Sequence, residues 1–161
     1  MNQQRLFDLV RVSPFAVELT EAQCMTLAGI AEIRQLKDAE VLLTEGHMDN
    51  SVHVVISGQL AVVKDSEGGG HETLHVLKTG EMAGAMGFID GLEHSATLRS
   101  VGDTEVFSLS RDKFESLLKS DPLLVYRVMR SIIRGVHTIV RRMNNQYVQM
   151  TNYITKQRGR Y

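Results

Sequence analysis

The sequence is poor in the residues that build disulfide frameworks, metal clusters and membrane spans. Cys24 is the only cysteine among 161 residues, so the chain forms no disulfide within itself and no cysteine-based metal cluster. Because a lone cysteine suits a reducing compartment and no apolar signal core follows Met1, we expect a cytoplasmic protein. The most apolar stretch, residues 123–140, is interrupted by three arginines, which excludes a conventional membrane span.

Acidic residues are absent after Asp121. Residues 1–121 carry 10 basic and 19 acidic side chains, whereas the residues after Asp121 carry eight basic ones. Such a basic segment meets nucleic acid, an anionic membrane surface or an acidic protein, or it docks on the acidic part of its own chain. Its basic residues are Arg127, Arg130, Arg134, Arg141, Arg142, Lys156, Arg158 and Arg160.

A catalytic or metal-binding motif is also lacking. His71 and His75 flank a predicted strand, where a spacing of four residues places them about 13 Å apart, too far for one metal ion. The other candidate histidines, His47, His53 and His94, form no His-x-His pair. Because no Ser–His–Asp or Cys–His arrangement can be assembled either, we expect neither an enzyme nor a metal site. A cupin-like β-barrel enzyme is a distant alternative.

Helical patterns open the chain and strand patterns follow. Apolar residues recur at spacings of three and four over residues 1–12 and 18–32, which predicts two short helices, with Thr20 as an N-cap. From Ile33 to Leu109, short runs rich in Val, Leu and Ile are broken by glycine and aspartate, which indicates strands. The predicted strands are residues 41–43, 52–56, 60–63, 73–77, 97–101 and 105–109.

The helical period returns after the strands. Ser110 is suited to cap a short helix, and Asp121 followed by Pro122 is suited to start a long one. We therefore predict a mainly β fold with flanking helices, a jelly-roll-like β-roll (a double-stranded β-helix). Residues 1–120 form the β-roll with its N-terminal helices, and residues 121–161 form a long basic C-terminal helix and tail.

Residues 80–97 have the frame of a phosphate-binding loop. Glycines at positions 80, 84 and 87 let the backbone turn sharply and approach a ligand, because no Cβ stands in the way. The small residues around them leave the amide groups of a short helix start exposed, which suits an anion. The segment then returns to a strand through Ser95-Ala96-Thr97.

Three separated segments resemble the cyclic nucleotide-binding domain family, which includes bacterial catabolite-activator-type regulators and the regulatory domains of kinases and ion channels. Residues 43–62 resemble the family's β-hairpins, residues 80–97 its phosphate-binding cassette, and residues 106–114 its strand-to-helix exit. The resemblance spans roughly residues 12–142. It implies a ligand-binding β-roll followed by a long helix.

The cassette departs from the family at two positions. The resemblance implies a glutamate for the ribose hydroxyl and an arginine for the cyclic phosphate, and this chain has Ala85 and His94 there. On the long helix, Ile139 and Val140 stand where catabolite-activator relatives contact adenine through a Thr-Ser pair. The implied ligand-facing positions are Gly84, Ala85, Met86, Gly87, His94, Ser95, Ala96, Thr97, Ile139 and Val140.

The two departures weaken the expected binding of cyclic AMP. A charge-assisted hydrogen bond contributes about 1.5–3 kcal/mol, so losing both contacts costs on the order of 3–6 kcal/mol, or about 10²–10⁴-fold in affinity. We expect no tight binding of cyclic AMP in the usual mode. The pocket is either closed by neighbouring side chains or takes another ligand, such as cyclic GMP, a cyclic dinucleotide, or a less anionic molecule suited to Ala85 and Met86.

Apolar residues of the last helix recur at spacings of three and four, which predicts a parallel dimer. This predicted seam is Val125, Met129, Ile132, Val136, Ile139, Met143, Tyr147 and Met150. The alternative is that its first half packs on its own β-roll. No helix-turn-helix motif is expected after the helix, so sequence-specific DNA binding is not predicted. The chain is therefore interpreted as a homodimeric, non-enzymatic regulatory module that acts on a protein partner whose identity the sequence does not reveal.

Overall fold

The computed structural model describes residues 2–158, so Met1 and residues 159–161, with Arg160 of the predicted basic tail, lie outside the described residues. Its α-helices are α1 Asn2–Val12, α2 Glu21–Ile30, α3 Ala85–Asp90, α4 Arg111–Glu115 and α5 Pro122–Arg158. Short 3₁₀ helices span Pro14–Glu18 and Ser116–Leu118. The strands are β1 Glu32–Leu36, β2 Val41–Leu43, β3 Ser51–Asp65, β4 His71–Leu77, β5 Met82–Ala83 and β6 Thr97–Ser110.

The strands form one six-stranded antiparallel sheet that is rolled around a core. Its main path runs β1-β6-β3-β4, while β2 pairs with β6 and β5 pairs with β3. Helices α1, α2 and α4 flank the roll, and α5 follows it. The predicted mainly β fold with flanking helices and a long C-terminal helix is confirmed.

Two of the predicted breaks between strands are wrong. β3 continues through Gly58 and β6 continues through Gly102. The chain does not turn back at either glycine; instead, the register of the β3–β6 pairing shifts there. Gly58 has φ +76°, and a Cβ there would lie 2.6 Å from the carbonyl oxygen of Asp103. The Thr104 hydroxyl closes the bulge, since its Oγ1 accepts from the Gln59 amide at 3.2 Å. Glycine therefore bends these long strands without ending them.

Two strands escape prediction. β1 begins at Glu32, where the local pattern predicts the end of a helix, and β5 has only two residues. Helix α2 is shorter than expected and ends at Ile30. β1 is held by five-residue pairing with β6, from Glu32 opposite Ser108 to Leu36 opposite Thr104. Its identity as a strand thus depends on a partner more than 60 residues away rather than on its own pattern.

The predicted helix starts are confirmed. Thr20 and Gln23 form a reciprocal capping box at the start of α2. The Ser110 hydroxyl accepts from the Lys113 amide at 3.3 Å, and Asp121 Oδ1 accepts from the Leu124 amide at 2.9 Å.

The first half of α5 belongs to the core, and the second half projects from it. Leu124, Val128 and Ile132 are fully buried beside the N-terminal helices and the β-roll. Every residue from Met143 to Gln157 is exposed. Within residues 2–158, no helix is both long enough and apolar enough to cross a membrane.

Candidate functional site

A cavity of about 840 Å³ lies between the β-roll, the cassette and α5. Its floor is formed by buried leucines of three strands: Leu43, Leu77 and Leu98. Residues 83–87 of the cassette form one wall, and α5 forms the opposite wall with Val136, Ile139 and Met143. The pocket is therefore open in this structure rather than closed by neighbouring side chains.

Two cassette glycines are required by close packing. Gly84 has φ +75° and begins α3, and a Cβ there would lie 2.8 Å from the carbonyl oxygen of Ser51. At Gly87, a Cβ would lie 2.8 Å from Cε1 of His94. The His94 imidazole thus packs directly against the cassette helix, at the position for which the resemblance implies an arginine.

The loop that carries His94 is tied to the β-roll by its backbone. The His94 amide donates to the carbonyl of His47 at 3.0 Å, and the His94 carbonyl accepts from the Gly46 amide at 2.9 Å. Lys64 Nζ donates to the Ser95 carbonyl at 2.9 Å. These contacts hold in place the segment of His94 and Ser95, which also lines the cavity.

The structure brings most of the implied ligand-facing positions together. The members that line the cavity are Gly84, Ala85, Met86, Gly87, His94, Ser95, Ala96 and Ile139. Thr97 is not among them, and its hydroxyl accepts from the Glu45 amide at 3.0 Å. Val140 lies on another face of α5 and is 47% exposed.

Residues outside the cassette complete the cavity, and the sequence motifs do not identify them. Leu74 and His75 come from β4, Lys64 from β3, and Gln146 from α5. Leu74 is 53% exposed, whereas Leu77 at the other end of the same strand is buried. In the sequence, the only indication that β4 lines a cavity is the apolar Leu74 among polar neighbours. Only the fold shows that β4 faces α5.

Both cations that line the cavity are engaged by carboxylates. Lys64 Nζ lies 2.5 Å from Glu45 Oε1, and this hydrogen bond holds the pKa of Glu45 below its usual range. Arg142 Nη1 lies 3.4 Å from Glu81 Oε1 and donates to His75 Nε2 at 2.8 Å. The positive charges of Lys64 and Arg142 on the cavity lining are therefore already neutralised within the chain.

Most of the basic face of α5 docks on the chain's own acidic part. Arg134 lies 2.9 Å and Arg130 lies 3.4 Å from Glu18 Oε1, and the hydrogen bond from Arg134 keeps the pKa of Glu18 below its usual range. Arg127 Nη1 donates to Gln23 Oε1 at 2.9 Å. Among the five arginines on this face, Arg141 is the exposed one without such a contact in the described chain.

The first half of the predicted seam packs on the same chain. Val125 is 7% and Ile132 is 0% exposed within the core, and Met129 and Val136 pack partly against it. Ile139 lines the cavity, as do Met143, Tyr147 and Met150, which are also exposed. Val125 and Ile132 are thus covered by their own domain, and dimerisation through α5 stays a prediction.

His53 lies buried behind the cassette. Its side chain is 2% exposed, Nδ1 lies 2.7 Å from Ser108 Oγ, and Nε2 has no hydrogen-bond partner within the described part of the chain. Burial lowers the pKa of His53 from 6.5 to about 4, against the opposing charge of Asp49. His53 is therefore neutral in the folded protein near neutral pH.

The buried His53 predicts acid destabilisation. Between pH 6.5 and about 4 the unfolded chain binds a proton at His53 and the folded chain does not, so the free energy of unfolding should fall as the pH falls through this window. The effect is on the order of 3 kcal/mol at its acidic end. Urea unfolding from pH 7.5 to 4.5 should show a shallower pH dependence in His53→Gln than in the wild type. Parallel curves would contradict the assignment.

Comparisons with known proteins agree with this geometry. A family model described as "Cyclic nucleotide-binding domain" matches residues 33–121. The cyclic AMP receptor protein of Thermus thermophilus is 30% identical over 90 residues, which are 56% of this chain and 42% of that protein. Lysophospholipase NTE1 of Chaetomium globosum is 24% identical over 106 residues, which are 66% of this chain and 7% of that protein. The chain thus spans less than half the length of either relative.

Solved structures share the fold. A cyclic nucleotide-binding domain from Methylobacillus flagellatus superimposes with a TM-score of 0.81 at 22% identity, covering 92% of this chain and 83% of that chain. At this identity the likeness is evidence for the fold and not for the ligand.

Proposed function

We propose that this chain, which belongs to the cyclic nucleotide-binding domain family, is a non-enzymatic regulatory module whose cassette does not hold cyclic AMP in the family's usual mode. One observation carries the proposal: the side chain at position 85 is a methyl group, and the imidazole of His94 packs against Gly87. The carboxylate expected at position 85 is therefore absent, and the one guanidinium on the described lining of the cavity, that of Arg142, is engaged by Glu81.

The charges around the cavity support the same conclusion. Lys64 and Arg142 would be the substitutes for the absent arginine, but Glu45 and Glu81 engage them. A cyclic phosphate would have to compete with these carboxylates for its counter-charge, and the net gain from each contact would be small.

Helix α5 is placed to carry the output through protein contacts. It forms one wall of the cavity, and Gly135 lets it pass directly over the side chain of Met82. A molecule in the cavity would touch Val136, Ile139 and Met143, so occupancy and the position of α5 are coupled. Sequence-specific DNA recognition is not part of the proposal, because most arginines of α5 contact their own domain.

Calorimetric titration with cyclic AMP, cyclic GMP and cyclic di-GMP tests the proposal. We expect dissociation constants weaker than about 10 μM, or about 7 kcal/mol. Tighter binding of cyclic AMP would overturn it. Tight binding of only cyclic GMP or cyclic di-GMP would favour the second candidate, a nucleotide sensor with an altered ligand.

A homodimer through α5 is a further part of the proposal. Apolar residues recur at strictly alternating spacings of three and four on a face next to the buried one. This exposed stripe, in which seven of the nine residues are exposed and Met129 and Val136 are half-buried, is Tyr126, Met129, Ile133, Val136, Val140, Met143, Tyr147, Met150 and Ile154. The stripe differs from the predicted seam in having Tyr126, Ile133 and Val140 in place of Val125, Ile132 and Ile139. It also lacks the two consecutive spacings of four that interrupt the seam after Ile139.

The exposure of the stripe supports a second copy as its cover. Ile133 is 56%, Tyr147 is 67% and Ile154 is 48% exposed, so an apolar line, interrupted only by the half-buried Met129 and Val136, faces water along about 40 Å of helix. An unbroken heptad repeat is the pattern that two parallel helices bury against each other. We therefore place the dimer interface on the exposed stripe.

A further inference from the structure

The cavity is apolar far beyond what a nucleotide site with a charged phosphate requires. Its floor is leucine, its cassette wall is Ala83, Ala85 and Met86, and its outer walls are Leu74 and α5. The volume of about 840 Å³ lies within the range of about 300–1,000 Å³ that is typical of small-molecule sites. A cavity of this composition gains free energy when an apolar surface displaces the water in it.

Charge decides against an anionic occupant. The two cations on the lining, Lys64 and Arg142, are paired with Glu45 and Glu81. Asp90 and Glu93 also line the cavity. With these carboxylates counted, the immediate surroundings carry more negative than positive charge, so an anion entering the cavity meets no free counter-charge and loses its hydration.

A second copy of the chain is not the occupant of this cavity. Ile139 and Gln146 point into the cavity from α5, and neither belongs to the exposed stripe. A partner helix on the stripe would cover the side of α5 next to Ile139 and Gln146. It would leave the cavity floor of Leu43, Leu77 and Leu98 uncovered. The cavity and the proposed dimer interface share Val136, Met143, Tyr147 and Met150 along one edge, whereas the leucine floor and Ile139 belong to the cavity alone.

We propose that the cavity binds an uncharged, predominantly apolar small molecule. The inference rests on the proposed function, since it requires that the cassette does not take cyclic AMP in the usual way. The molecule lies between the leucine floor and the α5 wall, with Ile139 in direct contact. Its recognition depends on apolar burial and on the absence of a free positive charge.

A pair of naphthylamine dyes tests this ligand class with the purified chain. N-phenylnaphthylamine is uncharged, and anilinonaphthalene sulfonate has a similar ring system with a sulfonate added; both fluoresce more strongly in an apolar site. We expect saturable binding of the uncharged dye, one per chain, with a dissociation constant of about 1–100 μM. The sulfonated dye should bind at least about 10-fold more weakly. Equal or tighter binding of the sulfonated dye would overturn the proposal.

Two variants locate the dye. Ile139→Trp fills the cavity from α5, and Leu74→Lys places a charge on its outer wall; each should weaken binding of the uncharged dye by about 10-fold or more. Leu118 is 50% exposed and does not line the cavity, so Leu118→Trp and Leu118→Lys are the matched controls and should bind as the wild type does. Circular dichroism melting verifies folding of all four variants.

The outcomes separate this inference from the proposed function. Binding of the uncharged dye that neither cavity variant weakens would overturn the inference and leave the function proposal standing. Failure of the wild type to bind it would have the same meaning. Tight binding of cyclic AMP by the wild type would instead overturn the function proposal, whatever the dyes do.

Discussion

Replacing Ala85 by glutamate and His94 by arginine together should raise the affinity for cyclic AMP by about 100-fold or more. The double variant restores one charge-assisted contact to the ribose hydroxyl and one to the cyclic phosphate, each contributing about 1.5–3 kcal/mol. Both positions line the cavity, so the new side chains reach a space that already exists. Calorimetric titration of wild type and variant under the same salt conditions measures the gain.

A neutral counterpart separates charge from size. The variant with Ala85→Gln and His94→Gln introduces polar side chains of similar length without charge, and it should bind cyclic AMP no better than about 10-fold above the wild type. If the charged double variant gains nothing while remaining folded, the absence of the two side chains is not what excludes the nucleotide. The charged variant should also lose affinity for the uncharged dye, because it places two polar groups beside the leucine floor.

Glutamates at Ile133 and Val140 should separate the dimer into monomers at micromolar concentration. Both residues lie on the exposed stripe, seven positions apart, and burying carboxylates between two helices should weaken the dimer by at least about 100-fold. Since Ile133 is 56% and Val140 is 47% exposed within one chain, the domain itself should stay folded. Sedimentation velocity over a concentration series measures the change.

The matched control lies on the opposite flank of α5. Thr138 and Asn145 are also exposed and seven positions apart, so Thr138→Glu with Asn145→Glu adds the same charge to the same helix outside the stripe. This control should sediment as the wild type does. Ile139→Glu, a member of the predicted seam but not of the stripe, should also leave the dimer intact. A monomeric wild-type chain, or dissociation by the control pair, would contradict the assigned interface.

The helix starts show what short-range pattern can predict. Thr20, Ser110 and Asp121 each bond to an amide three residues ahead, so the residues that identify the cap are the ones that form it. The same holds for the cassette. Its glycines and the Ser95-Ala96-Thr97 exit lie within one short stretch of the sequence, and this local pattern is enough to identify one wall of the cavity.

The strand boundaries show where pattern fails. Gly58 and Gly102 have the composition of turns, yet the chain passes through both in long strands because β3 and β6 pair on either side of the bulge. β1 has no clear alternation and is a strand because β6 lies beside it. Hydrogen bonds between distant segments determine the structure at Gly58, at Gly102 and in β1. Local composition does not predict such hydrogen bonds.

Some features of the candidate site can be predicted from the sequence, and others require the fold. The replacement of the expected glutamate and arginine by Ala85 and His94 is readable from sequence, and so is the weak expected binding of cyclic AMP. That the pocket is open, that β4 supplies Leu74, and that Arg142 is held by Glu81 from 61 positions away required the fold.

The long helix α5 shows most clearly what the sequence determines by itself and what the tertiary structure decides. Its apolar period and its excess of arginines follow from the order of residues alone, because a helix repeats every 3.6 residues whatever surrounds it. Which apolar line faces the core is decided by the docking of Val125 and Ile132 on the β-roll, which leaves Tyr126, Ile133 and Val140 outside. The predicted seam and the exposed stripe differ by one residue at each of three positions, and only burial against distant segments distinguishes them.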